Sequence, residues 1–349
     1  MNYIAPRRSD GTLHSTRVKQ PWPQDRIFRI LSIDGGGIKG LLPASYLAEI
    51  ERNFLEGASV AQNFDMIAGT STGGIIALGL AKGMSGAEAM KIYTHRGRAI
   101  FPSDRGLAGI LRMGRWIGKA KHDQERLKSQ LLDVFGDMLI DDAKVRLVIP
   151  SYEGTYGEPY IYKTPHHPDY KRDRHVKAAH AALHTAAAPT IYAGVENDGH
   201  MMVDGGIWAN NPIMVALVDA LACYDVPPEN IRILSLGTGD DLFSTTNLQK
   251  AGVFGWTNPL RAGGPAIFRA AVKAQSHDAI GQAGLLIGRQ NVLRIDPSEG
   301  DRPIGLDDVD RAIRELPNVA RSMAASSGQQ VKAMFLADAA DAYIKCPLS

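Results

Sequence analysis

The sequence predicts an α/β fold of three layers, a mostly parallel central sheet with helices on both faces. Three observations carry that prediction. Continuous apolar runs alternate with helical patterns along most of the chain. Several of these runs end in glycine-rich loops. The runs are apolar throughout rather than at every second residue, as strands covered on both faces are.

The strongest strand candidates are 28–33, 64–68, 145–149 and 231–236, with 160–163 and 292–295 weaker. Helical patterns span 41–54, 72–82, 176–186, 212–224 and 266–287. Asn211 before Pro212 reads as an N-cap and a first helical residue. The chain reads as one domain over 1–349, with an N-terminal arm over 1–24, a core over 25–296 and C-terminal helices over 297–349. Asp307-Asp308-Val309-Asp310 reads as a helix start. In sheets of this kind ligands bind at the C-terminal strand ends, so the loops there are the candidate sites.

Bulk properties narrow the function classes. Of 349 residues, 44% are hydrophobic and 22% charged, which is ordinary globular composition. A net charge of +2 gives no footprint for nucleic acid, and neither DNA nor RNA is expected as a partner. Cys223 and Cys346 are the only two cysteines; they offer no disulfide framework and fit a reducing compartment. The N-terminus is polar and lacks the apolar stretch of a signal peptide. No apolar run approaches the roughly 18 residues of a spanning helix, so any membrane contact is expected to be peripheral. No His-Glu-x-x-His, paired Cys-x-x-Cys or EF-hand loop occurs, and neither metal nor other cofactor is expected.

Three glycine loops carry the chemistry. The first, Asp34-Gly35-Gly36-Gly37-Ile38-Lys39-Gly40, follows a strand and opens a helix. Successive glycines let backbone N–H groups converge on one point, and the helix start adds its positive dipole end. Such a loop holds a phosphate or an oxyanion. It also satisfies G-x-G-x-x-G, but a dinucleotide site wants an acidic residue at the end of the next strand. Glu56 has about that spacing and ends no strand. The second loop, Gly69-Thr70-Ser71-Thr72-Gly73-Gly74, is G-x-S-x-G between a strand and a helix, the context of a nucleophile elbow. The third, Asp204-Gly205-Gly206, follows Met201-Met202-Val203; alone, Asp-Gly is equally a common turn.

In this order the loops resemble the patatin-like phospholipase family. Ala186-Ala187-Ala188-Pro189-Thr190-Ile191-Tyr192 and Leu234-Ser235-Leu236-Gly237-Thr238-Gly239 strengthen the likeness, which covers 28–239. Lys39 stands where many family members carry arginine, and the charge is kept. The resemblance implies the family's three-layer fold and a Ser-Asp dyad without histidine. Ser71 is then the nucleophile and Asp204 its base. Gly35, Gly36 and Gly37 form the oxyanion hole, with the amides of Gly36 and Gly37 as donors. An acyl-serine forms and Asp204 activates water to release it. The substrate that the resemblance implies is a membrane phospholipid.

Rival readings remain at this stage. A Ser-Asp-His triad would use His277 with Asp240 or Asp204, but His277 falls inside a helical pattern. A carboxylesterase on soluble acyl esters would share the dyad. A non-hydrolytic binder would use 35–40 for a nucleotide phosphate. The segment 96–128 holds nine lysines and arginines with Phe101, Ile110, Met113 and Trp116. It reads either as a mobile cap, meeting anionic lipid through Arg112 and Arg115 and inserting Trp116 and Ile117, or as a packed excursion with a solvated basic face. The loop 242–259, with Phe243, Phe254 and Trp256, borders the acyl groove or covers the sheet edge. A narrower resemblance, to bacterial anti-phage phospholipase effectors, implies a cyclic dinucleotide activator. The expected location is cytoplasmic, with action at the inner face of the membrane, and a homodimer is left open.

Overall fold

The computed structural model describes residues 17–101, 124–189, 191–239, 252–257, 266–298 and 304–347. The strands are β1 (Phe28–Ile33), β2 (Met66–Gly69), β3 (Arg146–Glu153), β4 (Glu158–Lys163), β5 (Val195–Asn197), β6 (His200–Asp204), β7 (Ile231–Leu236) and β8 (Val292–Ile295). They form one sheet in the order β5-β6-β3-β2-β1-β7-β8, with β4 also paired to β3. The ladders joining β3, β2, β1, β7 and β8 are parallel. Those of β4, β5 and β6 are antiparallel. The predicted parallel core is present, and an antiparallel flank extends it.

The helices are α1 (Leu41–Phe54), α2 (Thr72–Lys82), α3 (Gly86–Ile100), α4 (Gln124–Phe135), α5 (Ala178–Thr185), α6 (Gly206–Ala209), α7 (Ile213–Cys223), α8 (Val253–Thr257), α9 (Ala266–Ile287) and α10 (Val309–Phe335). Alternate strand residues point to opposite faces, and both faces are apolar. Leu31, Ile33, Ile67, Leu147 and Leu234 join a core with α1 to α5 and α10. Phe28, Ile30, Met66, Val148 and Ile233 join a second core with α7 and α9. This is the three-layer arrangement that the unbroken apolar runs require.

One edge of β3 sets the site. Met66–Ala68 of β2 pair with Arg146–Val148, and Met202–Asp204 of β6 pair with Ser151–Glu153. Because β4 occupies the opposite edge from Val148 to Glu153, β2 and β6 must share this one. β2 runs parallel to β3 and β6 antiparallel, so their C-terminal ends meet head to head beside Ile149 and Pro150.

The ends of the chain tie down on this body. In the described part of the N-terminal arm, Gln20 N–H donates to Cys223 O at 2.8 Å. Trp22 packs on Phe28 and Tyr224 at 4.7 and 5.6 Å between ring centroids. At the other end, the expected C-terminal helices are one helix, α10, which Asp308 caps by accepting from Arg311 N–H at 3.4 Å. The tail beyond it stays non-helical because its amides are taken by the body: Ala340 N–H donates to Gln62 O and Cys346 N–H to Pro165 O, each at 2.7 Å. Pro212, not Asn211, is the N-cap of α7, so the helix begins one residue later than the sequence suggests; Asn211 Oδ1 still accepts from Ile213 N–H at 3.0 Å.

Candidate active site

β2 ends at Gly69 and α2 starts at Thr72, so Thr70 and Ser71 must reverse the chain. Ser71 does so at φ 55° and ψ −122°, a conformation costly for a residue with a Cβ. The glycines make the turn passable. A Cβ on Gly69 would lie 2.1 Å from Gly73 O, and one on Gly73 would lie 2.2 Å from Ile33 O. Two long-range bonds brace the turn. Ser71 N–H donates to Thr185 Oγ1 at 2.9 Å, and that hydroxyl donates onward to Pro150 O at 2.5 Å. Thr70 Oγ1 donates to Ala209 O at 2.6 Å.

Asp204 ends β6 opposite Ser151. Ser71 Oγ donates to Asp204 Oδ2 at 2.6 Å, and Gly206 N–H donates to Oδ1 at 2.6 Å. Ser71 is 8% exposed and Asp204 4%. Burial pushes the Asp204 carboxyl up to about 7, against the opposing pull of the bonds from Ser71 and Gly206. A carboxylate with that affinity for protons is far better matched to a serine hydroxyl than an ordinary aspartate. The glycine after the acid is also required: a Cβ on Gly205 would lie 2.4 Å from Pro150 O.

The triple-glycine loop lies against Ser71. A Cβ on Gly35 would come within 3.2 Å of Ser71 Cβ and 2.5 Å of Asn210 Oδ1. Gly35 N–H donates to Asn210 O at 3.0 Å. Its amide is therefore occupied, and the lack of a side chain at Gly35 permits the close approach to Ser71. Among the described residues, no bond from the amide of Gly36 or Gly37 to a protein acceptor is seen. Thr238 Oγ1 donates to Gly35 O at 2.9 Å and fills the space where a Gly36 side chain would stand. Lys39 is buried and its Nζ donates to Gly239 O at 3.5 Å.

The structure thus brings Ser71, Asp204, Gly35, Gly36 and Gly37 together. Trp116, Ile117, Arg112 and Arg115 lie outside the described residues, as do Asp240 and Phe243. The described ends of 96–128 belong to α3 and α4, where Arg96 pairs with Asp133 at 3.0 Å and Arg98 with Asp310 at 3.1 Å. His277 is exposed on α9. Sequence reasoning missed Thr185, Asn210 and the bond from Arg294 to Asp34, because each acts across more than a hundred residues. It also gave the histidines no shared role, yet His166 Nε2 lies 2.6 Å from Asp219 Oδ2 beside Cys223. Lys163 Nζ and Tyr170 Oη already donate to the other oxygen of Asp219 at 2.5 Å each, so this cluster is an internal ionic network.

Comparison with known proteins places the chain in a family. The family model described as patatin-like phospholipase matches residues 31–217. A cGAMP-activated phospholipase of Vibrio cholerae is 32% identical over 88% of this chain and 93% of its own length. One of Pseudomonas aeruginosa is 36% identical over 60% of this chain and 62% of its own. Patatin-like protein 2 of Oryza sativa is 30% identical over 66% of each. Among solved structures, VipD from Legionella pneumophila aligns at a TM-score of 0.42 with 14% identity, over 86% of this chain and 67% of that one. The matched span holds all three glycine loops together with Ser71 and Asp204, and the chain belongs to the patatin-like phospholipase family of lipid acyl hydrolases.

Proposed function

We propose that the chain cleaves acyl esters of membrane phospholipids through a Ser71–Asp204 dyad. The observation that carries this reading is the 2.6 Å bond from the Ser71 hydroxyl to a buried carboxylate whose proton affinity is raised to about 7. Asp204 takes the hydroxyl proton as Ser71 Oγ bonds to the ester carbonyl carbon. The carbonyl oxygen gains negative charge and receives hydrogen bonds from Gly36 and Gly37. As the tetrahedral species collapses, the C–O bond breaks and Asp204 returns the proton to the departing lysolipid alkoxide. Water then repeats the sequence on the acyl-serine, releasing the fatty acid and restoring the serine.

The partners are proposed on the same footing. The cGAMP-activated relatives support a cyclic dinucleotide as activator; a role in anti-phage defence is proposed with it. Among the described residues, no helix is long and apolar enough to cross a membrane. Independently of that, the proposed location is the cytoplasm, with action at the inner face of the membrane. Ile207, three positions after Asp204, and Ile267 and Phe268 at the start of α9 are exposed apolar residues on helices packed against each other, which suits an acyl-bearing surface.

The test is fatty-acid release from phospholipid vesicles by wild type and Ser71→Ala, with and without a panel of cyclic dinucleotides. Release that needs Ser71 and rises with one nucleotide is expected. Equal release by both proteins overturns the dyad, and equal rates with every nucleotide and none overturn the activator. Cleavage of short soluble esters with no action on vesicles identifies an esterase instead.

A further inference from the structure

The geometry points to Arg294 as a positioning residue that holds the oxyanion loop in register through Asp34. This assignment rests on the hydrolase reading above and goes beyond it, since it concerns a residue outside the family's three loops.

Arg294 belongs to β8, two strands away from β1 in the sheet. Its register partner is Ser235 of β7, whose own partner is Ser32 of β1. From there the guanidinium reaches across the strand ends. Nη1 donates to Asp34 Oδ1 at 3.0 Å and Nη2 to Asp34 Oδ2 at 2.7 Å, a two-pronged pair. Nη1 also donates to Ser235 Oγ at 2.8 Å, and Nη2 to Asp296 Oδ2 at 2.6 Å. Asp34 is 3% exposed. A buried carboxylate at that position is held by the fork rather than by water.

The consequence lies one residue on. Asp34 is the last residue before the three glycines, and glycines carry no side chains with which to fix themselves. Their direction must come from neighbours. Asp34 N–H is fixed by Leu236 O at 3.0 Å and its side chain by Arg294. The same arginine braces the far wall, because Asp296 accepts from Gly239 N–H at 2.9 Å and Thr238 of that loop donates to Gly35 O at 2.9 Å. One guanidinium therefore ties both loops that flank Gly36. Lysine at 294 would keep the charge and lose the fork, since an ammonium cannot donate to both oxygens of Asp34 in one plane.

A role limited to stability and a role in positioning the oxyanion donors make different predictions. A misplaced donor weakens the transition state and leaves substrate affinity alone. For Arg294→Lys, kcat on a phospholipid or acyl ester is expected to fall about 100-fold with KM within about twofold. The Ki of a long-chain trifluoromethyl ketone, which forms a tetrahedral adduct with serine, should weaken in proportion to kcat/KM. The Ki of the matching non-reactive amide lipid should not move. Asp34→Asn keeps the shape and one acceptor and should show the same pattern more weakly; it serves as the second variant if Arg294→Lys does not fold. Folded variants with wild-type kcat, or with both inhibitors weakened equally, overturn the assignment. Wild-type protein without Ser71-dependent hydrolysis overturns the hydrolase reading itself, and this assignment with it.

Discussion

Ser71 and Asp204 stand 133 residues apart in the chain, and the hydroxyl of the first donates to the carboxylate of the second across 2.6 Å. They meet because β2 and β6 occupy the same edge of β3 from opposite directions and run out at the same level. Ser71 leaves the top of one strand on a strained turn, and Asp204 is the last residue of the other. The short distance is thus a product of sheet topology, with the glycines at 69, 73 and 205 allowing the backbones close enough.

Removing either partner should separate chemistry from folding. Ser71→Ala and Asp204→Asn are expected to lower kcat roughly 10⁴-fold or more, because groups that act as a unit fail together. Melting temperatures should stay at or above that of wild type. Vesicle hydrolysis and thermal unfolding of the two variants check this.

Acid should silence the enzyme near neutrality. The base must be ionised, and burial raises Asp204 to about 7. The kcat/KM profile is therefore expected to rise with pH through an apparent pKa near 7 and flatten above it. The stability effect has the opposite sign. Between the unfolded value of about 4 and the folded value the native state binds more protons than the unfolded state, so this group's contribution falls as pH rises. Asp204→Asn should consequently gain stability over wild type at pH 8 and lose that advantage at pH 4, as read by denaturant unfolding at both.

Gly36→Ala should damage catalysis more than its single methyl suggests. The new Cβ would lie 2.2 Å from Thr238 Oγ1, the hydroxyl that fixes Gly35 O. One of the two must move, and the donors move with it. A drop in kcat of about 10²- to 10³-fold is expected, as for loss of one oxyanion donor. Steady-state kinetics on an acyl ester is the check.

Thr185→Val keeps shape and removes the hydroxyl that receives Ser71 N–H. A buried amide is left without its acceptor, at a cost of about 1–3 kcal/mol. Both stability and kcat should fall, since the same amide orients the elbow. Unfolding curves and turnover measured together test this.

Phe335→Ala is a contrasting control. Phe335 is fully buried and its ring lies 5.7 Å from that of Phe64, on the far part of α10. Its loss should cost about 3–5 kcal/mol. Turnover per folded molecule should remain that of wild type, as judged by active-site titration.

Much of this was legible in the sequence where backbone geometry is unusual. Only glycine can stand at 69 and 73 beside a serine with positive φ, so the elbow leaves a local signature. The unbroken apolar runs likewise announced a sheet buried on both faces. The direction of β6 was not legible, because an apolar run such as Met201-Met202-Val203 reads the same in a parallel or antiparallel ladder. The span of α10 was read only as helical, since its end depends on Ala340 and Cys346 finding acceptors far away. Thr185, Asn210 and Arg294 are invisible for the same reason. Each is an ordinary residue in an ordinary element, and its role exists only once distant strands lie side by side. In the triple-glycine loop, the resemblance already singled out the amides of Gly36 and Gly37; what it could not show is that the amide of Gly35 is engaged by Asn210 O, 175 residues away.

The most direct measurement is the rate at which a fluorophosphonate modifies the protein, with the adduct located by peptide mass spectrometry, in wild type and Asp204→Asn across pH 5–9. The account predicts one adduct, on Ser71, forming faster as pH rises through about 7 in wild type and hardly at all in the variant. An adduct on another residue, or an Asp204→Asn protein that reacts as fast as wild type, would contradict it.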